Sequence, residues 1–194
     1  YYFMITNRKY YMQKALILIV FVLLSFNVNA TEITNNEFAK RISKCVDSIY
    51  TNKEKYPKNK QIPVELIIAQ AAHESAWGNS RFAKQGNALF GVRTWDENVP
   101  HMKAKGAMDA EWGVKIYRSW CDSIQDYIDI LERHPAYEQF REELEFQYET
   151  QGKAEAITLV QYLGAWSEQG PKYIHLLQSI IQSLYQQDFF KKVT

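Results

Sequence analysis

Apolar residues recur through most of this chain at the three- and four-residue spacing of a single helix face. Phe38, Ile42, Cys45, Val46 and Ile49 form one such stripe, and Asn35 or Asn36 can cap a helix running to about Tyr50. The polar run from Lys53 to Gln61, centred on Pro57, reads as a loop. Pro63 then stands where a first helical turn accepts it, and the stretch from Val64 to Ala72 is apolar enough for a largely buried helix. Gly78 ends that helix, and Asn79 or Ser80 can cap a short one closing at Gly86.

The period changes after Asn87. Gly91, Pro100, Gly106 and Gly113 punctuate short segments such as Leu89–Arg93 and Val114–Tyr117, predicting a hairpin or small β-lobe with a long irregular excursion. Helical spacing returns with Ile124, Tyr127, Ile128 and Leu131, behind a cap at Asp122 or Ser123. Further helices are predicted at about Tyr137–Tyr148, Ala154–Leu163 and Lys172–Tyr185. The pattern gives an α+β chain, mainly helical, with one small β-lobe inserted early and no internal repeat.

Residues 1–30 follow a different rule. An unbroken apolar run, Ala15–Leu24, is preceded by Arg8, Lys9 and Lys14 and followed by Val28-Asn29-Ala30. A basic start, a short apolar run and a small-residue exit make a secretory signal peptide, with cleavage expected after Ala30. Met12 is the expected start, and Ser25 and Asn27 come too soon for a spanning helix of about 20 residues. The chain therefore divides into residues 1–30 (upstream residues and signal), 31–61 (a helix and loop) and 62–190 (the main domain).

Composition narrows the classes. Across 194 residues the chain is 46% hydrophobic and 14% aromatic, with 8 Gly and 5 Pro, which excludes disordered and collagen-like sequence. Without Arg8, Lys9 and Lys14 of the leader, 20 basic residues face 22 acidic ones, so nucleic acid is not an expected partner. After signal cleavage no stable membrane association is expected, and the protein is expected to be a monomer, exported to the periplasm or secreted. Cys45 and Cys121 are the two cysteines. An exported protein permits a bridge between them, but the place of Cys45 on an apolar stripe favours a buried thiol.

The informative chemistry lies in Ala71–Gly78. At 100° per residue from Val64, Ile68, Ala71 and Ser75 cluster on the core side, while Glu74 sits with Ile67 on its shoulder, in the last helical turn. Burial and the negative helix end both disfavour the ionised carboxylate, so the Glu74 pKa should rise. A carboxylic acid kept protonated near neutrality suits the general acid of glycosidic-bond cleavage. On spacing alone, a structural Glu paired with Arg81 or Lys84 is the commoner case. His73 faces roughly opposite and reads as a surface residue. A zinc-protease pattern would need a second His where Trp77 stands, so no metal site and no organic cofactor are expected. In the lobe, Asp96, Glu97, Asp109 and Glu111 are candidates for a second carboxylate, and Trp77, Trp95 and Trp112 flank them as possible sugar platforms.

The run Gln70-Ala71-Ala72-His73-Glu74-Ser75-Ala76-Trp77-Gly78-Asn79-Ser80-Arg81-Phe82-Ala83, followed by Gly86-Asn87-Ala88-Leu89-Phe90-Gly91, resembles the N-acetylglucosaminidase domain of bacterial peptidoglycan hydrolases. These are the flagellar-muramidase and autolysin relatives, the Bax-type branch among them. His134–Arg141 and Leu163–Ile174 continue the likeness, which covers about Ile62 to Leu184. The resemblance implies a lysozyme-like fold with a cleft between the helical body and a β-lobe that follows the catalytic helix. It implies hydrolysis of the β-1,4 bond after N-acetylglucosamine in peptidoglycan glycan strands, without a cofactor. Glu74 matches the family's catalytic acid and Tyr173 a cleft-lining tyrosine, with Trp77 and Phe90 at further motif positions. Glu111 is the expected assisting acid, Asp96 the next choice, and Asp96 and Tyr117 are expected near the substrate. Failing a second acid, the substrate's acetamido group can attack the anomeric carbon, with Tyr173 holding it. A lytic transglycosylase or muramidase using the same Glu, or a non-catalytic wall-glycan-binding protein, are the alternatives.

Overall fold

The computed structural model describes residues 33–186, so the leader read at residues 1–30 and the last residues of the 62–190 unit lie outside the described residues. The first helix, α1 (Asn35–Ile49), is capped by Thr34, whose hydroxyl accepts from the Glu37 backbone N–H, one position before the expected asparagines. Its apolar stripe buries Phe38, Ala39, Ile42, Cys45 and Val46. The following loop holds a 3₁₀ turn at Lys58–Lys60. Helix α2 (Val64–Ser75) starts directly after Pro63 and buries Leu66 through Ala72 and Ser75. A helix apolar all round belongs at the centre; α2 packs against α1 and against the last helix, α7 (Pro171–Gln186).

A short helix, α3 (Arg81–Gly86), is capped by Ser80 as expected and leads into the lobe. Three strands make one antiparallel sheet: β1 (Arg93–Thr94), β2 (His101–Met102) and β3 (Gly113–Lys115), with β3 in the middle. Arg93 pairs with Val114, and Met102 pairs with Val114 from the other side. Side chains close this lobe where the strands are too short to do so. Arg81 donates to the Lys103 carbonyl, and the Lys103 ammonium donates to the carbonyls of Ala110 and Trp112. Asn87 donates to the Tyr117 carbonyl and the Tyr117 N–H to the Gly86 carbonyl, fastening the lobe to α3.

Helix α4 (Trp120–Arg133) is capped by Ser119, three residues before the expected cap. It is followed by a 3₁₀ turn at Pro135–Tyr137 and by α5 (Glu138–Gln151). The expected helix at Ala154–Leu163 is instead a single α-turn, α6 (Ala156–Leu159), running into a 3₁₀ segment, Val160–Trp166. Cys45 of α1 and Cys121 of α4 form a disulfide, which corrects the expectation of a buried thiol. The two helices pack together and bring the Cα atoms to 5.0 Å. Among the described residues no helix is long and apolar enough to cross a membrane.

Candidate active site

Helix α2 ends abruptly after the acid. Ala76, Trp77 and Gly78 all take left-handed backbone conformations, with φ of 51°, 56° and 78°. Two of these residues are not glycine, so the turn stores strain that its surroundings must hold. Ser75 does much of the holding. Its buried hydroxyl donates to the Ala71 carbonyl (2.6 Å) and accepts from the Gly78 N–H (2.7 Å), while its own carbonyl accepts from the Ser80 N–H (2.8 Å). The turn points the chain away from α2 and leaves Glu74 at its end, facing a cleft.

That cleft has a volume of about 920 Å³. Phe90, Val92, Arg93 and Trp95 line it from the lobe side, Ile130, His134 and Tyr137 from the α4–α5 corner, and Trp166 and Glu168 from the 3₁₀ segment and the loop after it. Its aromatic wall is tightly built. Phe90 stacks on the buried Tyr127 with centroids 4.1 Å apart and planes 9° apart, and Trp166 meets Tyr127 edge-on at 5.2 Å and Tyr137 at 6.0 Å. Trp95 is 63% exposed, an unusual cost for so large an apolar ring unless something covers it.

Glu74 is half-buried, and desolvation raises its carboxyl above the usual carboxylate range, opposed by the neighbouring Tyr173 hydroxyl. Arg81 is spent on the Lys103 carbonyl and on the face of Phe82, so it does not neutralise the acid. Tyr173 stands in the first turn of α7 and is fully buried, behind Glu74 and not among the cleft-lining residues. Burial and the nearby Glu74 carboxyl push its phenol far up. His73, expected at the surface, is instead half-buried, its ring edge-on to Tyr173 at 5.4 Å, because α7 covers the face of α2 opposite the core stripe. Desolvation pulls its pKa down.

The remaining expected residues are dispersed. Phe90 lies in the cleft wall. Trp77 packs edge-on to Phe38 at 5.7 Å and is not among the cleft-lining residues. The Tyr117 hydroxyl donates to Asp126 (2.7 Å), which also pairs with Lys115, so that tyrosine fastens the lobe to α4. Asp96 is exposed and accepts from the Asn98 N–H and amide in a tight turn. Glu111 is exposed, and neither acid lines the cleft. The same holds for Glu97 and Asp109, both exposed on the lobe. The carboxylate that shares the cleft with Glu74 is Glu168, which sequence reasoning missed along with Arg93 and Trp166. The Gly164…Gly170 spacing marked their segment, but no periodicity marks a loop as a cleft wall.

Three comparisons bear on this arrangement. The profile of the family described as mannosyl-glycoprotein endo-beta-N-acetylglucosaminidase matches residues 50–186. The protein Bax of Escherichia coli K12 is 27% identical over 121 residues, 62% of this chain and 42% of Bax. The peptidoglycan hydrolase FlgJ of the same strain is 30% identical over 88 residues, 39% of this chain and 28% of FlgJ. The chain thus spans less than half the length of these relatives. The glycoside hydrolase domain of FlgJ from Salmonella typhimurium superposes with a TM-score of 0.55 at 23% identity, covering 83% of this chain and 93% of that domain, which shows a common fold.

Proposed function

The chain belongs to the mannosyl-glycoprotein endo-beta-N-acetylglucosaminidase family, a family of glycoside hydrolases, and from that premise we propose that it cleaves peptidoglycan at the β-1,4 bond after N-acetylglucosamine. The observation that carries the reading is the Glu74 carboxyl, half-buried and raised in pKa at the end of a buried helix, facing an aromatic-walled cleft. Such a group is protonated where an ordinary surface carboxylate is not, and can give its proton to the leaving glycosidic oxygen.

In the first step the Glu74 proton moves to the bridging oxygen as its bond to the anomeric carbon breaks. We assign the attack on that carbon to the oxygen of the substrate's own 2-acetamido group, the substrate-assisted exception to the two-carboxylate scheme. Supporting this, Glu111 and Asp96 do not line the cleft, and the carboxylate that does, Glu168, is exposed on the loop after the 3₁₀ segment. In the second step the Glu74 carboxylate takes a proton from water, whose oxygen bonds to the anomeric carbon and releases the acetamido oxygen. One water is consumed and Glu74 ends protonated. Trp95 and Trp166 offer rings to the sugars, backed by the buried Phe90 and Tyr137, and Tyr173 orients the acid from behind. The disulfide and the leader fit action outside the cytoplasm, where glycan strands are reached. The test is turnover of purified peptidoglycan by Glu74→Gln. A folded variant with turnover reduced by orders of magnitude supports the assignment; a folded variant with normal turnover removes it.

A further inference from the structure

Behind Glu74, away from the cleft, lies a polar cluster enclosed by core. Gln70 stands one helical turn before Glu74 on α2, on the same side of the helix. Gln70, Tyr127 and Tyr173 are each fully buried. The Tyr127 hydroxyl donates to Gln70 Oε1 at 2.5 Å. Gln70 Nε2 and the Tyr173 hydroxyl, by contrast, are both buried without a hydrogen-bond partner of ordinary geometry. Buried polar groups left unmade are costly, and here one is a pure donor and the other can accept. Gln70 and Glu74 both neighbour the Tyr173 hydroxyl: the amide favours its phenolate, and the hydroxyl in turn favours the Glu74 carboxylate.

We propose that Gln70 is a positioning residue whose amide, anchored by Tyr127, fixes the direction in which the Tyr173 hydroxyl donates to Glu74. The inference rests on the reading of Glu74 as the general acid. Its logic is one of polarity. With Gln70 Oε1 occupied by Tyr127, the amide presents its N–H groups to Tyr173. The phenol oxygen accepts there, and the Glu74 carboxyl is the acceptor left for its hydrogen. A carboxyl that accepts on its inner oxygen carries its own proton on the outer one, facing the cleft. Without Gln70, the Tyr173 oxygen is free to accept from Glu74, and the acidic proton points into the core. The titratable groups around Glu74 are Tyr173 from α7, Tyr127 from α4, His73 beside it on α2, and Arg93, His134 and Glu168 along the cleft. Tyr173 is the one whose hydroxyl favours the ionised Glu74.

The experiment measures kcat, KM and the alkaline limb of kcat on soluble peptidoglycan glycan fragments. It uses the wild type, Gln70→Met, Tyr127→Phe, Tyr173→Phe, the Gln70→Met/Tyr173→Phe double variant and Glu74→Gln. Gln70→Met should lower kcat roughly 10- to 100-fold with KM nearly unchanged. It should also move the alkaline limb upward, because the ionised Glu74 loses a donor. Tyr127→Phe should shift the limb the same way by less, and it deletes one oxygen, so it answers the question even if Gln70→Met fails to fold. The double variant should be no worse than Tyr173→Phe. An unmoved limb, or losses that multiply in the double variant, would overturn the relay and leave Gln70 a packing residue. Normal turnover by Glu74→Gln would instead overturn the reading on which the relay rests.

Discussion

Glu74 takes its character from its depth: a carboxyl at the end of a buried helix, short of cationic partners, resists ionisation. Replacing it with Gln should reduce turnover about 10²–10⁴-fold, the usual worth of a positioned proton donor, with folding intact by circular dichroism. A stability consequence follows with a definite sign. Its folded-state pKa is raised, so the protonated side chain stabilises the fold at low pH, and that contribution is lost as pH climbs from the ordinary carboxylate range through the raised value. Thermal melts of wild type and Glu74→Gln should therefore diverge across that window, the wild type losing ground as pH rises. Glu111→Gln and Asp96→Asn should keep activity within a few-fold, and a loss as deep as that of Glu74→Gln would return the lobe to the reaction. The half-buried place of Glu74 and the direction of its pKa were legible because its helix and its shoulder position follow from spacing, whereas its role as the acid came from the resemblance alone. Trp77 and Tyr117 were less so, since a motif letter does not say whether a ring packs inward or meets solvent. His73 was misplaced because a helical wheel drawn on one helix ignores the neighbour that covers its far side.

At the scale of elements, the turn after α2 is the part that function leans on most. Ser75→Ala removes two buried hydrogen bonds and leaves the Gly78 N–H unpaired, a loss of about 1–3 kcal/mol. It should lower Tm and reduce activity together, measured by melting and turnover on the same preparation. Gly78→Ala should be harsher, since its φ is +78° and an added Cβ would sit 2.7 Å from the Trp120 ring. Most helices were legible from their stripes, and Ser80 and Pro63 marked true starts. The caps at Thr34 and Ser119 were missed because several hydroxyl and amide side chains near each boundary can cap equally well, and the packed helix chooses among them. The 3₁₀ segment Val160–Trp166 was read as a continuous helix; Gly164 and Gly170 gave the only local warning.

Across the whole molecule, the Cys45–Cys121 bridge ties the first helix to the fourth across 76 residues of chain. A loop of that length is worth about 4 kcal/mol, so reduction or a Cys45→Ala/Cys121→Ala pair should lower Tm markedly. The apolar stripe hid this bond: Cys45 lies where a buried thiol fits, and only the contact between α1 and α4 shows that its partner is in reach. The overall class was more open to reading, since a change of hydrophobic period at Asn87 and its return near Ile124 already separate lobe from body. What no period could supply is the wall opposite Glu74, assembled from a lobe strand, a helix corner and a loop far apart in the chain. The claim that this wall and this acid form a glucosaminidase site is tested most directly by digesting purified peptidoglycan, reducing the fragments with borohydride and weighing the new ends. Reduced N-acetylglucosamine at those ends is the expected result. Reduced N-acetylmuramic acid, its 1,6-anhydro form, or no new ends at all would contradict it.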